Sequence, residues 1–547
     1  MSLSFKNLLS ISLLAWLTAM NVAVAVKLSD HTQDLFEESM NFLDKIYDPV
    51  AGYLYFFYFP LAASKHETRS SVWYATGLLQ RNEGDDVKQA VKIIRNVIAD
   101  QKKVPGEQWY GDYTVYPEEP TVGSPAYPKN QIFNSWDPNW RGFIGSNLIV
   151  IYEEFRHLIS EDVQMLILES MRNNTIGDSY RVGGVDDDVL YPSYSNPALM
   201  RAVASGWTGR MLNDSNMTAA GELYAREILD LFDRNDTLSE FNSPTYAGVS
   251  LYALTMWAKY MPESSLMGQN GARMIEAVWE TIGNMYNANL RNIAGPWDRT
   301  YGFDMNQYVA ILNIYIWSLV GKSQAPGIDQ TWSMAHADDF EYAPLISVLA
   351  PYHDALVPKS VIQKLVSFPG EHMYETTAIS PPHDLAPRNV TAWLSHNVTI
   401  GAESYDEDTL GGPRQDSLQW SPAAIQWARN DGSIGYVVLH GTEKAMEVKV
   451  DPEQLTLAYP RGNVSSIFTF IVSSNPIGGK RDVQGFEDLD GINITTTGSV
   501  LPDPDISFCG LVGGTCSIIH GFEFWNITYK MPPNTSATPS ITFNINP

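Results

Sequence analysis

Cysteine is nearly missing from this 547-residue chain: only Cys509 and Cys516 occur, with a Gly-rich hexapeptide between them. Two cysteines cannot build a disulfide scaffold, so the fold must rest on packed cores, although an oxidising compartment would let this pair join. Positive charge is also scarce. Lys and Arg number 36 against 62 Asp and Glu, a formal net charge of −26. That balance argues against nucleic acid or an anionic membrane as partner and, less strongly, against a polyanionic ligand. Beyond the N-terminus no stretch is apolar for the roughly 20 residues of a spanning helix, and no hydrophobic tail closes the chain, so no membrane anchor is expected. No His, Cys or Asp spacing specifies a metal site, and neither a metal nor another cofactor is expected.

What is present at the start is Lys6, an apolar stretch from Leu8 to Met20, and Ala23-Val24-Ala25. A basic residue, a short apolar core and a small-x-small site predict a signal peptide over 1–25, with a secreted, extracellular product starting at Val26. Asn-x-Ser/Thr sequons at Asn173, Asn213, Asn216, Asn235, Asn389, Asn397, Asn463, Asn493, Asn526 and Asn534 agree with a secreted glycoprotein. With 44% hydrophobic and 12% aromatic residues, the chain can bury two domain cores.

From Thr32 to Gly321 apolar residues recur at helical spacing. The segments are Asp34 to Tyr47, Ser70 to Arg81, Asp85 to Asp100, Arg141 to Ile159, Glu161 to Arg172, Pro197 to Leu212, Thr218 to Phe232, Tyr246 to Tyr260, Asn270 to Met285 and Met305 to Leu319. Strands are not needed to explain this half. Short connections alternate with long ones rich in Gly, Pro, Trp and Tyr, as expected of paired antiparallel helices wound into a ring with the long loops at one mouth. After about Leu356 alternation takes over, in Gly435 to Leu439, Met446 to Val450, Ile467 to Val472 and Gly521 to Trp525. The expected fold is α+β and multidomain: an (α/α) toroid over 26–360, then an antiparallel β-sandwich over 361–547.

Four clusters at helix starts or in long loops carry the residue types that stack on sugars and move protons. Trp136, Asp137, Asn139, Trp140 and Arg141 stand just before a helix. The two indoles either stack on sugar rings or pair in the core. Asp186, Asp187 and Asp188 lead through Tyr191 and Asn196 to Arg201; three adjacent carboxylates read as a solvated turn, and Asn196 as a helix cap or a substrate amide. Glu240, Asn242, Ser243, Pro244 and Tyr246 crowd a carboxylate, an amide and a phenol into one turn. Trp297, Asp298, Arg299, Tyr301 and Asp304 precede the last clear helix, where bracing and ligand contact are both open.

The Glu-x-x-Ser-Pro-x-Tyr pattern at Glu240, Ser243, Pro244 and Tyr246 resembles the segment bearing the catalytic Tyr in heparinase II/III-like lyases. Asn139-Trp140 with Ile144-Gly145 resembles the aromatic patch of the hyaluronate, chondroitin and xanthan lyases. The resemblance implies the same toroid-plus-sheet architecture and β-elimination on a uronate-containing polysaccharide. An amide or Arg would neutralise the uronate carboxylate, and a Tyr or His would move the C5 proton. It makes Tyr246 the proton-transfer residue and Asn196 the carboxylate partner, with Glu240 beside them. Trp136, Asn139, Trp140, Arg141, Arg201, Asn242, Trp297, Asp298, Arg299 and Tyr301 become candidates for substrate binding. Such lyases usually show an Asn-His pair, and the helical half has none. His66, His157, His336, His353, His372, His383 and His396 are the options.

The rival is a glycoside hydrolase drawing an acid and a base from Asp137, Glu240, Asp298 and Asp304, which the acidic net charge suits. A lyase would need Arg141, Arg201, Arg210 and Arg299 to make its cleft locally positive. A glycan-binding protein without catalysis would use the aromatics alone.

Overall fold

A computed structural model of the chain describes residues 26–56, 65–133, 135–181, 190–298, 310–325, 337–412, 420–509 and 523–546. Its helices are α1 (Asp30–Ile46), α2 (Thr68–Arg81), α3 (Asp86–Ala99), α4 (Trp140–Phe155), α5 (Glu161–Asp178), α6 (Ser195–Leu212), α7 (Ser215–Phe232), α8 (Pro244–Tyr260), α9 (Leu266–Met285), α10 (Ala310–Val320), α11 (Ala343–His353) and α12 (Lys359–Val366). Local chemistry sets many of their ends. Ser29, Asp214, Ser243 and Ser265 cap the starts of α1, α7, α8 and α9 with side-chain oxygens. Asn82 and Asn213 close α2 and α6 in the left-handed conformation that Asn tolerates.

The helices form an α/α toroid. Inner helices α2, α4, α6, α8 and α10 pack each on the next, and α11 touches both α10 and α2 to close the ring. Outer helices α3, α5, α7 and α9 lie against α2, α4, α6 and α8, while α12 covers α9 and α10. Sequence explains the sorting: α4, α6 and α11 carry apolar or small residues on most of their surface and bury most residues, whereas α3 and α7 bury a single stripe. α11 and α12 lie beyond the last helix expected from periodicity. α11 is apolar on all sides, so no helical stripe shows in its sequence. Two short sheets also belong to this half: β1 (Tyr47–Asp48), β2 (Tyr53–Tyr55) and β3 (His66–Glu67), and β4 (Tyr286–Asn287) with β5 (Asn292–Ile293). No helix among the described residues is long and apolar enough to cross a membrane.

The second half is a β-sandwich. An eight-stranded antiparallel sheet contains β6 (His372–Ala378), β7 (Arg388–Leu394), β8 (Val398–Glu403), β10 (Ala423–Ala428), β11 (Ile434–His440), β14 (Ile467–Ser473), β16 (Asp505–Cys509) and β17 (Phe524–Lys530). A five-stranded sheet, with β9 (Tyr405–Asp406), β12 (Ala445–Asp451), β13 (Gln454–Ala458), β15 (Asn493–Gly498) and β18 (Ser540–Asn546), packs on it through Trp393, Leu457, Phe470 and Phe543. The outer face of the larger sheet is also covered: Ala378, Val390, Ala424, Tyr436, Val438 and Ile471 join the core of the toroid. Coverage on both faces explains why every residue of β8 is buried. The approach is close enough to require glycine, because a Cβ on Gly401 of β8 would stand 1.7 Å from the carbonyl of Gly295. Cys509 ends β16, and Cys516 lies outside the described residues, as do residues 1–25.

Candidate active site at the toroid mouth

The short turns 82–85, 156–160, 213–214 and 261–265 all follow inner helices, so α2, α4, α6 and α8 begin at the opposite end. That end is edged by the described parts of the long connections 100–139, 179–194, 233–243 and 286–309. Converging helix N-termini bring partial positive charge to the mouth.

Glu240 ties two of these helix starts together. Buried at 4% exposure, its Oε2 accepts the Ser195 N–H at 3.1 Å at the start of α6, while Ser243, three residues on, caps α8 by accepting the Tyr246 N–H at 3.3 Å. Pro244 pre-sets the first turn of α8. Asn242 reaches the third element, donating from Nδ2 to Pro296 O at 2.9 Å. Half-buried Tyr246 sits in the first turn of α8 and Asn196 in the first turn of α6.

Asn196 is not the cap of its helix: Ser195 already belongs to α6, and Glu240 serves its N–H. The Asn196 side chain is 1% exposed, yet its Nδ2 has no hydrogen-bond partner. An unpaired buried amide donor costs about 1–3 kcal/mol.

The sandwich supplies the fourth element. After β6 the chain turns through residues 379–384 against the mouth: Ser193 donates to Pro381 O and Ser239 to Ile379 O, both at 2.6 Å. The ring of His383 meets Tyr191 edge-on at 6.5 Å. Ser193 lies three residues before Asn196, and Ser239 directly before Glu240. The other candidate histidines have different surroundings or lie outside the described residues. His353 is in the core between Thr255 and Trp279, where burial lowers its pKa to about 3. His66 is held between Asp48 and Glu118. His372 contacts two backbone carbonyls, and His157 lies at the short-turn end. His396 is exposed beside Asn397, and His336 is not among the described residues.

Several residues expected to bind ligand have partners within the protein. Trp136 is fully buried against Trp109, Tyr127 and Ile132, with its indole N–H on Lys129 O. Trp297 is likewise buried, with Nε1 on Ile293 O. Arg141 is fully buried and braces the 100–139 connection through Tyr110 O and Gln108 O, with Asp178 at 4.0 Å. Arg201 faces the Tyr224 ring and donates to Arg181 O. Trp140 is buried with Nε1 on Thr68 and Arg69 over its ring. Asn139 is shared between Tyr194 and Arg181. Arg210 pairs with Glu222 in the last turn of α6, away from the mouth. Arg141, Arg201 and Arg210, three of the arginines a lyase would need for a locally positive cleft, are engaged in these contacts. Arg299, Tyr301, Asp304 and Asp186 to Asp188 lie outside the described residues. One sequon is closed by the fold: Asn173 is buried and bonded to Tyr110.

Arg141→Met is expected to lower stability by about 1–3 kcal/mol, because the buried carbonyls of Gln108 and Tyr110 would lose the guanidinium that donates to them. Denaturant unfolding measures this. Wild-type stability with lost activity would return Arg141 to the ligand.

The family model described as "Domain of unknown function (DUF8769)" matches residues 33–351, and "Domain of unknown function (DUF8770)" matches residues 370–546. No curated protein sequence matches the chain. Among solved structures, heparinase III is similar with a TM-score of 0.47 at 10% identity, over 97% of this chain and 86% of that one. Chondroitin AC lyase from Streptomyces coelicolor is similar with a TM-score of 0.47 at 10% identity, over 94% and 80%. Heparan sulfate lyase from Pedobacter heparinus has a TM-score of 0.34 at 10% identity, over 95% and 83%.

Proposed function

The chain belongs to the DUF8769 family, and we propose that it is a secreted polysaccharide lyase that cleaves a uronate-containing glycan by β-elimination at the toroid mouth. Asn196 carries the reading: it is a buried amide donor without a hydrogen-bond partner, in the first turn of α6, and this reading gives it the carboxylate oxygen as acceptor. Binding the uronate carboxylate there draws charge from C5 and acidifies its proton. Removal of that proton moves the C5–H electron pair into a C4=C5 bond, the C4–O4 bond breaks, and O4 leaves with a proton. Tyr246 and His383 divide the two proton transfers. Glu240 is a positioning residue, because its carboxylate is spent on Ser195 N–H.

The hydrolase alternative asks for two free carboxylates, and the geometry favours it less. Asp137 accepts the Asn139 N–H in its own turn, Glu240 holds α6, Asp298 stands in the field of Arg388 and Glu403, and Asp304 lies outside the described residues. Glu240→Gln separates the two readings. Its amide oxygen still accepts the Ser195 N–H, so a positioning role predicts near wild-type activity, whereas a catalytic acid would lose activity about 10²-fold or more. Glu240→Ala removes the helix acceptor and is expected to cost about 1–2 kcal/mol in thermal unfolding.

Secretion and glycosylation belong to the same proposal. Lys6, the Leu8 to Met20 stretch and Ala23-Val24-Ala25 support the first, and exposed sequon residues Asn216, Asn389, Asn397, Asn463, Asn493 and Asn534 support the second. The activity is tested with heparan sulfate, chondroitin sulfate, hyaluronan and polyglucuronate, with a neutral β-glucan as control. New ultraviolet absorbance from a C4=C5 bond on an acidic member, and none on the neutral one, is expected. Reducing ends without absorbance would move the assignment to hydrolysis.

A further inference from the structure

The turn bearing His383 hangs on a buried ionic cluster that the chemistry above does not use. Arg388 opens β7, with 6% of its side chain exposed, and faces carboxylates on two edges of its guanidinium. Nε donates to Asp384 Oδ2 at 2.9 Å, and Nη1 pairs with Glu403 Oε2 at the end of β8. Trp420 Nε1 donates to Glu403 Oε1 at 2.7 Å, and Asp298 at the toroid mouth adds a third nearby negative charge. The same Asp384 Oδ2 also accepts the Ser380 N–H at 2.8 Å. The backbone N–H groups of His383 and Asp384 both return to Ser380 O, so the turn is closed from both ends. Gly411 makes room for the other carboxylate oxygen, because a Cβ there would stand 2.1 Å from Asp384 Oδ1.

A guanidinium is planar, and two carboxylates on separate edges fix each other's direction through it, which an ammonium cannot do. We propose that Arg388 is a positioning residue which, through Asp384, sets the angle at which the 380–384 turn presents His383 to the toroid mouth. The inference rests on the proton-transfer role proposed for His383, and it adds the anchor that transmits the sandwich scaffold to that ring. The anchor crosses the joint of the two halves, since Asp298 follows Trp297, whose backbone pairs with Ser421.

Two measurements on the full chain test it. The first needs no activity: diethyl pyrocarbonate modification of His383, read by peptide mass against exposed His396 in the same sample. Arg388→Lys should change the His383 rate several-fold and leave His396 unchanged; an unchanged ratio overturns the positioning claim. The second is a double-mutant cycle on the most active polysaccharide of the panel above. Arg388→Lys is expected to lower kcat about 10²-fold with KM within about twofold, as a misplaced catalytic ring does. In a His383→Ala background the same substitution should have no further effect. Equal losses in both backgrounds would assign Arg388 to general folding and overturn the inference. Full activity in His383→Ala alone would remove the proton-transfer role itself. If Arg388→Lys melts far below wild type, Asp384→Asn, which keeps the Ser380 acceptor and weakens the Arg388 pair, is expected to give the same two readouts.

Discussion

Tyr246→Phe is expected to lower kcat/KM on the cleaved uronate polysaccharide by about 10²–10⁴-fold, the range lost when a positioned acid or base is removed. The substitution keeps the ring that packs in the first turn of α8, and Ser243 still caps the Tyr246 N–H, so the melting temperature should stay close to wild type. KM should change little, because the hydroxyl acts on a proton in flight and not on the ground-state sugar. An unimpaired Tyr246→Phe enzyme would rule out the phenol and leave His383 with both transfers.

The second large effect is at Asn196. Asn196→Ala should reduce kcat about 10²–10³-fold, the loss seen when one preorganised donor to a developing anion is deleted. A donor already paired within the protein would leave its partner orphaned when removed, but Nδ2 of Asn196 has none. The variant is therefore expected to unfold within about 1 kcal/mol of wild type. Asn196→Asp should be worse still, since it places a second carboxylate where the uronate must bind, and its deficit should grow as ionic strength falls. Steady-state kinetics with parallel thermal melts decide the matter. Full turnover by Asn196→Ala, or a collapse of stability with proportionate loss of activity, would contradict the role.

Much of the architecture was legible because each half repeats one local rule. Amphipathic stripes such as Asp85 to Asp100, and caps such as Ser243-Pro244, mark helices on their own. Alternation in Ile467 to Val472 marks a strand whose two faces meet different cores. Where a segment is apolar on every side, as in α11, the stripe vanishes and the helix is invisible to periodicity. The candidate site was legible in part. Glu240, Asn196 and Tyr246 stood out because helix starts concentrate polar groups next to loop aromatics. Burial was not legible, since an indole that stacks on a sugar and one that fills a core look alike in sequence; Trp136 and Trp297 fill cores. Arg141 and Arg201 show the same limit for charge, because backbone carbonyls and rings from distant segments satisfy them. His383, one histidine among several options, and the Asp384, Arg388 and Glu403 cluster had no local signature: their partners come from separate strands and from the other half of the chain.

The most direct measurement is the mass of the products formed in heavy-oxygen water from the polysaccharide the enzyme cleaves. β-Elimination adds no solvent oxygen, so the account predicts new non-reducing ends that are lighter than hydrolytic ones by one water and carry no heavy-oxygen label. Products with full saturated mass and a heavy oxygen incorporated at the cleaved bond would contradict it and make the toroid mouth a hydrolase site.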